Sequence, residues 1–304
     1  MHPLKNNHFE FELVAQNNLR QFYVKLGTPI KSTNNPFQQS ALDAEYFYNT
    51  SSLKKIILCL SGGIDSESMC HAFLQAQIPF EVVFLRFKND LNLFDIKTNI
   101  EFCATSSIKY SFVDLDIIDF YESGKYFEVA KKYECQSPQI AAHLWFLDQI
   151  DGVPCLSGNP IAPIWKNNKW FFLGLPGELH STYFKYFLIN NREGVPWFFI
   201  FSPEMIKSFL KLNCMRPYLN KQITLAADYN YLEKCKSYDE GGFRVKPRED
   251  KFTGFELVKK FYDEKYKTNY GIAFNEHFRL PLEKIFPFPD EYFQLIPKEY
   301  FDGL

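Results

Sequence analysis

The sequence has no excess of positive charge. Its 34 Lys and Arg stand against 36 Asp and Glu, giving a formal net charge of −2 and a pI near 6.3. A broad nucleic-acid surface carries a basic stripe or a high pI, so no nucleic-acid partner is expected. None of the seven cysteines, at 59, 70, 103, 135, 155, 214 and 235, falls in a CxxC pair. That excludes zinc ribbons and iron–sulfur sites, which need closely paired thiolates. An odd, scattered set fits a reducing compartment. No run approaches the ~18 apolar residues of a membrane span. The opening MHPLKNNHFEF lacks the apolar centre of a secretory signal. A cytoplasmic chain without membrane attachment is the expectation. There is no internal repeat and no low-complexity linker.

What is present is a chain of 304 residues, 46% hydrophobic, with 33 Phe and 18 Tyr. This length buries a large core, and so many aromatics suit a Phe-rich interior. One stretch organises the rest, Lys54 to Ala76. Ile56 to Leu60 are consecutive apolar residues, the pattern of a strand buried on both faces. Ser61-Gly62-Gly63 breaks the run. Met69, Ala72, Phe73 and Ala76 then recur at helical spacing. Strand, glycine turn and helix follow one another. Adjacent glycines let the backbone come close to a ligand. The helix N-terminus supplies unpaired N–H groups and partial positive charge. Ser61 and Ser66 add hydroxyl donors. Asp65 is a carboxylate inside this anion cradle, which makes sense when Mg²⁺ bridges it to phosphate oxygens. The loop lacks the Lys of a Walker A sequence.

Ser61-Gly62-Gly63-Ile64-Asp65-Ser66 resembles the SGGxDS signature of the PP-loop ATP pyrophosphatase family. The family has an adenine nucleotide alpha-hydrolase-like fold. Its members include asparagine, GMP, NAD and argininosuccinate synthetases and enzymes of tRNA thiolation. The resemblance implies that Mg·ATP binds on Ser61–Ser66 and is cleaved to AMP and pyrophosphate, with AMP passing to a substrate oxygen. It implies a small-molecule substrate, and ATP and Mg²⁺ as cofactors. Glutaminase-bearing relatives, several with an N-terminal nucleophilic Cys, are not matched. Position 2 is His2, and fifty residues before the core cannot hold a glutaminase. Ammonia, if used, comes free or from a supplying partner. An asparagine-synthetase-like amide ligase is the first expectation. A sulfur-transferring enzyme, with Cys103, Cys155 or Cys214 as carrier, and a non-catalytic nucleotide-binding module are the alternatives.

The alternation of strands and helices from Lys54 predicts an α/β fold. It is a doubly wound, mainly parallel five-stranded sheet with helices on both faces. Strands are predicted at Ile56–Leu60, Phe80–Phe87, Tyr110–Leu115 and Val153–Leu156. Leu93, Ile96, Ile100 and Cys103 mark one helix face, and Ser137-Pro138 opens another helix. Residues 1–50 read as an N-terminal β-hairpin appendage, Phe9 to Leu26, followed by a loop over Lys31–Gln39. Residues 51–165 read as the nucleotide-binding core. Residues 166–304 read as a mainly helical C-terminal region completing the substrate site, with helices near 180–190, 203–212 and 255–266. The tail from Leu280 reads as extended.

Ligands of such sheets bind beyond the carboxyl ends of the strands. Arg86 and Phe87 end the second strand, where family members often contact adenine; Arg86 also suits a solvated strand end. Ser157 and Gly158 follow the fourth strand, where asparagine-synthetase-like members place a Ser-Gly loop near the nucleotide. Here Asn159-Pro160 replaces the acidic continuation, and a structural turn is the alternative. Asp114 and Asp116 are candidates for a substrate amine or second Mg²⁺, or are turn carboxylates. Glu178 and His180 are an acid/base candidate or surface polar residues. Arg244, Lys246, Arg248 and Lys251 form a basic stretch after Gly241-Gly242. Several family members use a C-terminal Lys or Arg to stabilise departing pyrophosphate. Lys246 and Arg248 are assigned that role beside Asp65, and a solvated basic loop is the alternative.

Overall fold

The computed structural model describes residues 9–16, 19–29, 33–174, 180–222, 230–248, 253–286 and 292–304. The expected N-terminal hairpin is present. Strands β1 (Phe9–Gln16) and β2 (Leu19–Leu26) pair antiparallel, with Phe9 opposite Leu26. The stretch read as a loop over Lys31–Gln39 instead starts a helix, α1 (Pro36–Thr50). Asn35 caps it by accepting from the Gln38 amide at 2.8 Å, and Pro36 takes the first helical position. Proline fits there because that N–H has no intrahelical partner.

The core begins with β3 (Ile56–Leu60), buried at every residue, and α2 (Ile64–Gln75). Then come β4 (Glu81–Phe87), α3 (Leu93–Thr105) and β5 (Tyr110–Leu115). Three helices follow, α4 (Ile117–Glu122), α5 (Lys125–Tyr133) and α6 (Pro138–Asp148), leading to β6 (Val153–Cys155). Ser137 caps α6 through the Ile140 amide, as its Ser-Pro start predicts.

The parallel sheet has four strands in the order β5-β4-β3-β6, flanked by helices. The expected fifth strand is corrected. Its place beside β6 holds one parallel bridge, Cys155 to Val195. Val195 N–H donates to Pro154 at 2.9 Å and its carbonyl accepts from Leu156 at 2.8 Å. Pro196 follows and has no N–H to continue a ladder. The order turns back between β3 and β6. There the chain leaves adjacent strands in opposite directions and opens a crevice at their carboxyl ends.

A second sheet, not foreseen, has three antiparallel strands: β7 (Ile164–Lys166), β8 (Lys169–Gly174) and β9 (Tyr292–Ile296). The tail expected to be extended thus supplies β9 and, before it, a helix over Leu280–Ile285. The rest of the C-terminal region is mainly helical. It contains α7 (His180–Ile189), α8 (Pro203–Leu210), α9 (Arg216–Leu219), α10 (Tyr231–Glu240) and α11 (Glu256–Tyr266). Among the described residues no helix is long and apolar enough to cross a membrane.

Aromatic packing joins this region to the core. Phe243 meets Phe37 of α1 at 5.1 Å, Tyr238 at 5.2 Å and Phe199 at 6.0 Å between ring centroids. The largest fully buried side chains are all Tyr or Phe. Each such side chain contributes about 1.5–3 kcal/mol on leaving water.

Helix α1 packs on α2 and α8. At the α1–α8 seam Asp43 is buried, accepting from Gln39 Nε2 at 3.0 Å and from the Ser202 hydroxyl. Burial pushes its carboxyl from 3.8 up to about 7, against the lowering effect of these hydrogen bonds. Between those values the folded chain keeps a proton that the unfolded chain releases. Stability therefore falls as pH rises through that window. Asp43→Asn removes this loss. Its melting temperature at pH 8 is expected to exceed the wild type's, with the gap closing toward pH 4. A constant gap across that range in a thermal melt series would contradict this account.

Candidate functional site

The glycine turn between β3 and α2 lies at the switch point of the sheet. The Gly62 backbone passes so close to α3 that an added Cβ would lie 1.5 Å from the Asp95 carbonyl oxygen. Only glycine fits there. The turn is held from inside. The Ser66 hydroxyl lies 3.0 Å from the Ser61 carbonyl and 2.9 Å from that of Gly63. Asn99 of α3, fully buried, donates to both of those carbonyls. The Gly63 amide donates to Ser61 Oγ at 3.3 Å. Ser66 thus shapes the loop with its hydroxyl and does not line the crevice.

Two acidic residues on the first turn of α2 reach across to the C-terminal region. Asp65 Oδ2 accepts from Lys234 Nζ at 2.8 Å and Oδ1 from the Tyr238 hydroxyl at 2.8 Å. Lys234 and Tyr238 are four residues apart on α10, hence on one face. Glu67 pairs with Arg248 and lies 3.6 Å from His71 Nε2. Burial works to raise the Glu67 carboxyl, but the nearby His71 ring and the Arg248 guanidinium outweigh it and hold it below its ordinary value. Arg248 also donates to the Gly62 carbonyl at 3.1 Å and to Asn99 Oδ1 at 2.9 Å. The Lys234 and Arg248 side chains are each 12% exposed.

These groups border a cavity of about 410 Å³, lined by Ser61, Gly62, Gly63, Ile64 and Asp65 of the turn. Lys234 and Arg248 line the same space. Phe87, Ser157 and Gly158 also face it. Phe87 is fixed by Asn92, which accepts from the Phe87 amide at 2.7 Å and donates to the Leu85 carbonyl at 2.9 Å. Gly158 has φ +59°, and a Cβ there would fall 1.7 Å from the Trp197 ring. Trp197 Nε1 donates to the Asn159 carbonyl at 2.7 Å and pins this loop.

Other candidates lie elsewhere. Arg86 does not line the cavity. It makes a two-pronged pair with Asp114, at 2.6 and 3.0 Å, and lies 4.3 Å from the centre of the Phe112 ring. Asp116 caps α4 and pairs with Lys88 at 2.9 Å. Lys246 contributes its carbonyl, which accepts from Arg248 Nη1 at 2.9 Å; its side chain and that of Arg244 do not line the cavity. Glu178 and Lys251 lie outside the described residues, as does the side chain of His180. Burial pushes the Cys103 thiol up to about 12, that of Cys214 to about 11 and that of Cys155 well above its ordinary range. Such thiols are poor nucleophiles.

Several residues of the site were not foreseen from the sequence, among them Glu67, Asn99, Lys234 and Tyr238. The helix bearing the last two had a legible start. Asn230 caps it by accepting from the Leu232 amide at 2.9 Å, Glu233 stands three residues on, and Gly241-Gly242 ends it. On the cavity wall His143 Nδ1 lies 2.7 Å from the Tyr183 hydroxyl. Burial lowers that imidazole to about 4, leaving it neutral at physiological pH.

The arrangement suits a polyphosphate. It offers a helix N-terminus, a glycine backbone at close approach and two cations. The apolar side chains Leu85 and Phe87 suit a base. Asp65 is the single carboxylate of the turn, and each of its oxygens keeps a lone pair for a further contact. Among the described residues no cluster of three or more His, Cys, Asp or Glu is set to hold a metal. Asp65 is the residue of the turn that would meet an Mg²⁺ arriving with nucleotide phosphates, which needs only one or two carboxylates. No protein-family model matches the chain, and neither does any curated protein.

The close approach at Gly62 gives a direct test. Gly62→Ala forces the turn or α3 to move and is expected to cost about 1–3 kcal/mol in chemical denaturation. A variant as stable as the wild type would show that the turn is not seated against Asp95.

Proposed function

We propose that the chain is an ATP-dependent adenylating enzyme of PP-loop type. Mg·ATP lies with its β- and γ-phosphates on Ser61–Asp65 and its base toward Phe87. A substrate carboxylate or amide oxygen attacks the α-phosphorus, and the bond to the β-phosphate bridging oxygen breaks. Pyrophosphate leaves with that electron pair. A nitrogen nucleophile then attacks the activated carbon, AMP departs, and the nitrogen loses a proton. The product is a C–N bond, as in an asparagine-synthetase-like amide ligase fed with ammonia, free or from a partner.

The observation carrying this reading is the meeting of the SGGIDS turn with Lys234 and Arg248 at one cavity. In the structure both cations are neutralised by Asp65 and Glu67. Charge building on pyrophosphate as it leaves offers them a stronger partner, which is how fixed cations favour a transition state over a ground state. The sulfur-transfer alternative draws no support from Cys103, Cys155 or Cys214, whose thiols burial keeps protonated.

Calorimetric titration with Mg·ATP checks the reading. The wild type is expected to bind with a one-to-one stoichiometry, and Lys234→Met to bind at least about tenfold more weakly, the loss of one charged hydrogen bond. ATP turned over to ADP and phosphate, or equal affinity in the variant, would overturn it.

A further inference from the structure

The edge of β4 beside the crevice is closed by a side chain from the segment that follows it. Val82 N–H donates at 3.0 Å to the carbonyl of Lys109, the residue before β5, so Val82 turns its backbone groups toward β5. Successive residues of a strand turn these groups to opposite sides. Leu85 and Phe87, an odd number of residues on, therefore turn theirs toward β3. The pairing of β3 with β4 ends at Leu60, opposite Phe84. The chain then leaves the sheet as the glycine turn. The Leu85 carbonyl and the Phe87 N–H thus lie past the end of β3, on the side from which the turn departs.

An acceptor and a donor two residues apart on an extended edge are complementary to the edge of an adenine ring. The 6-amino group of adenine donates and its N1 accepts. Here Asn92 takes that place. Its Oδ1 accepts from the Phe87 N–H at 2.7 Å, and its Nδ2 donates to the Leu85 carbonyl at 2.9 Å. A carboxamide presents the same donor and acceptor as the adenine edge. Phe87 has a single N–H, and Asn92 holds it. Asn92 is 4% exposed and does not line the cavity, so the pair is turned to protein. What β4 offers the cavity is carbon, the side chains of Leu85 and Phe87. Phe255, also on the cavity wall, packs on Phe87 with 5.1 Å between ring centroids.

We propose that Asn92 is a specificity-determining residue. By filling the edge of β4 it leaves the base to be held by apolar contact, and the site takes purine nucleoside triphosphates with a 6-amino or a 6-oxo group alike. The proposal rests on the nucleotide reading above and widens it beyond ATP. Apolar walls discriminate weakly between rings of one shape, whereas a hydrogen-bonding pair rejects a ring with the wrong edge. A 6-oxo purine is the sharpest case. It accepts at position 6 and donates from N1, so at a free Leu85–Phe87 pair it would set acceptor against acceptor and donor against donor.

Calorimetric titration of the full chain with Mg·ATP and with its 6-oxo counterpart, Mg·ITP, tests this. For the wild type the two dissociation constants are expected to agree within about threefold. A larger preference for either overturns the proposal; a base edge read by hydrogen bonds gives about tenfold or more. Asn92→Ala, verified as folded by circular dichroism, frees the Phe87 N–H and the Leu85 carbonyl for a base. Its ratio of ITP to ATP dissociation constants is expected to rise at least about fivefold over that of the wild type. An unchanged ratio overturns the role of Asn92. If the variant does not fold, the wild-type comparison decides by itself. No binding of either nucleotide to the wild type removes the nucleotide reading and this proposal with it, whereas a preference between them removes this proposal alone.

Discussion

Two acidic side chains on the first turn of α2 fasten the C-terminal region to the glycine turn after β3. Asp65 holds Lys234 and Tyr238, and Glu67 holds Arg248. Both acids are well placed at a helix N-terminus, where the dipole favours negative charge. Through them α10 and the stretch after it lie along the crevice instead of packing elsewhere. The seat of Arg248 is shared with Asn99 and the Gly62 carbonyl, so the turn, α3 and the C-terminal region form one connected network. Removing one member leaves a mostly buried charge without its partner, which costs far more than the pair is worth against water.

This network also sets the electrostatics of the cavity. At the turn Asp65 and Glu67 balance Lys234 and Arg248, and Asp95 adds a third carboxylate to the cavity lining. A polyphosphate entering this space competes with Asp65 and Glu67 for Lys234 and Arg248. In the proposed reaction the phosphates of bound ATP draw Lys234 off Asp65, and the charge that grows on departing pyrophosphate strengthens that contact further. Tyr238 of α10 packs on Phe243 and Phe199 and seats the helix that carries Lys234.

The central strand β3 was legible because it is buried at every residue and reads as an unbroken apolar run, while the half-exposed edge strand β5 was placed by the alternation of strands and helices. Ile56–Leu60 and Tyr110–Leu115 fall where the sequence places them. Long-range features were not legible. The fifth strand is reduced to a bridge at Val195, and no local pattern shows how far pairing extends. The second sheet depends on β9 pairing with β8 across more than a hundred residues of chain. Local start signals were present but underweighted. Asn35-Pro36 reads as loop chemistry and is also a helix cap followed by its first residue. α10 is polar along most of its length and shows no apolar stripe, so Lys234 and Tyr238 were missed although Asn230 and Gly241 mark its ends. In the site, the turn was identifiable residue by residue. Arg86 was misplaced because a strand end carries no sign of which neighbour its side chain will meet, and Asp114 of β5 claims it.

On the proposed function the turn after β3 holds the phosphates of a nucleotide whose cleavage frees pyrophosphate, and a crystal structure with Mg²⁺ and α,β-methylene-ATP tests this. β- and γ-phosphate oxygens are expected within hydrogen-bond distance of the Ser61–Asp65 backbone amides, with Lys234 moved from Asp65 to a phosphate. Phosphates bound away from this turn, with Lys234 still on Asp65, would contradict it.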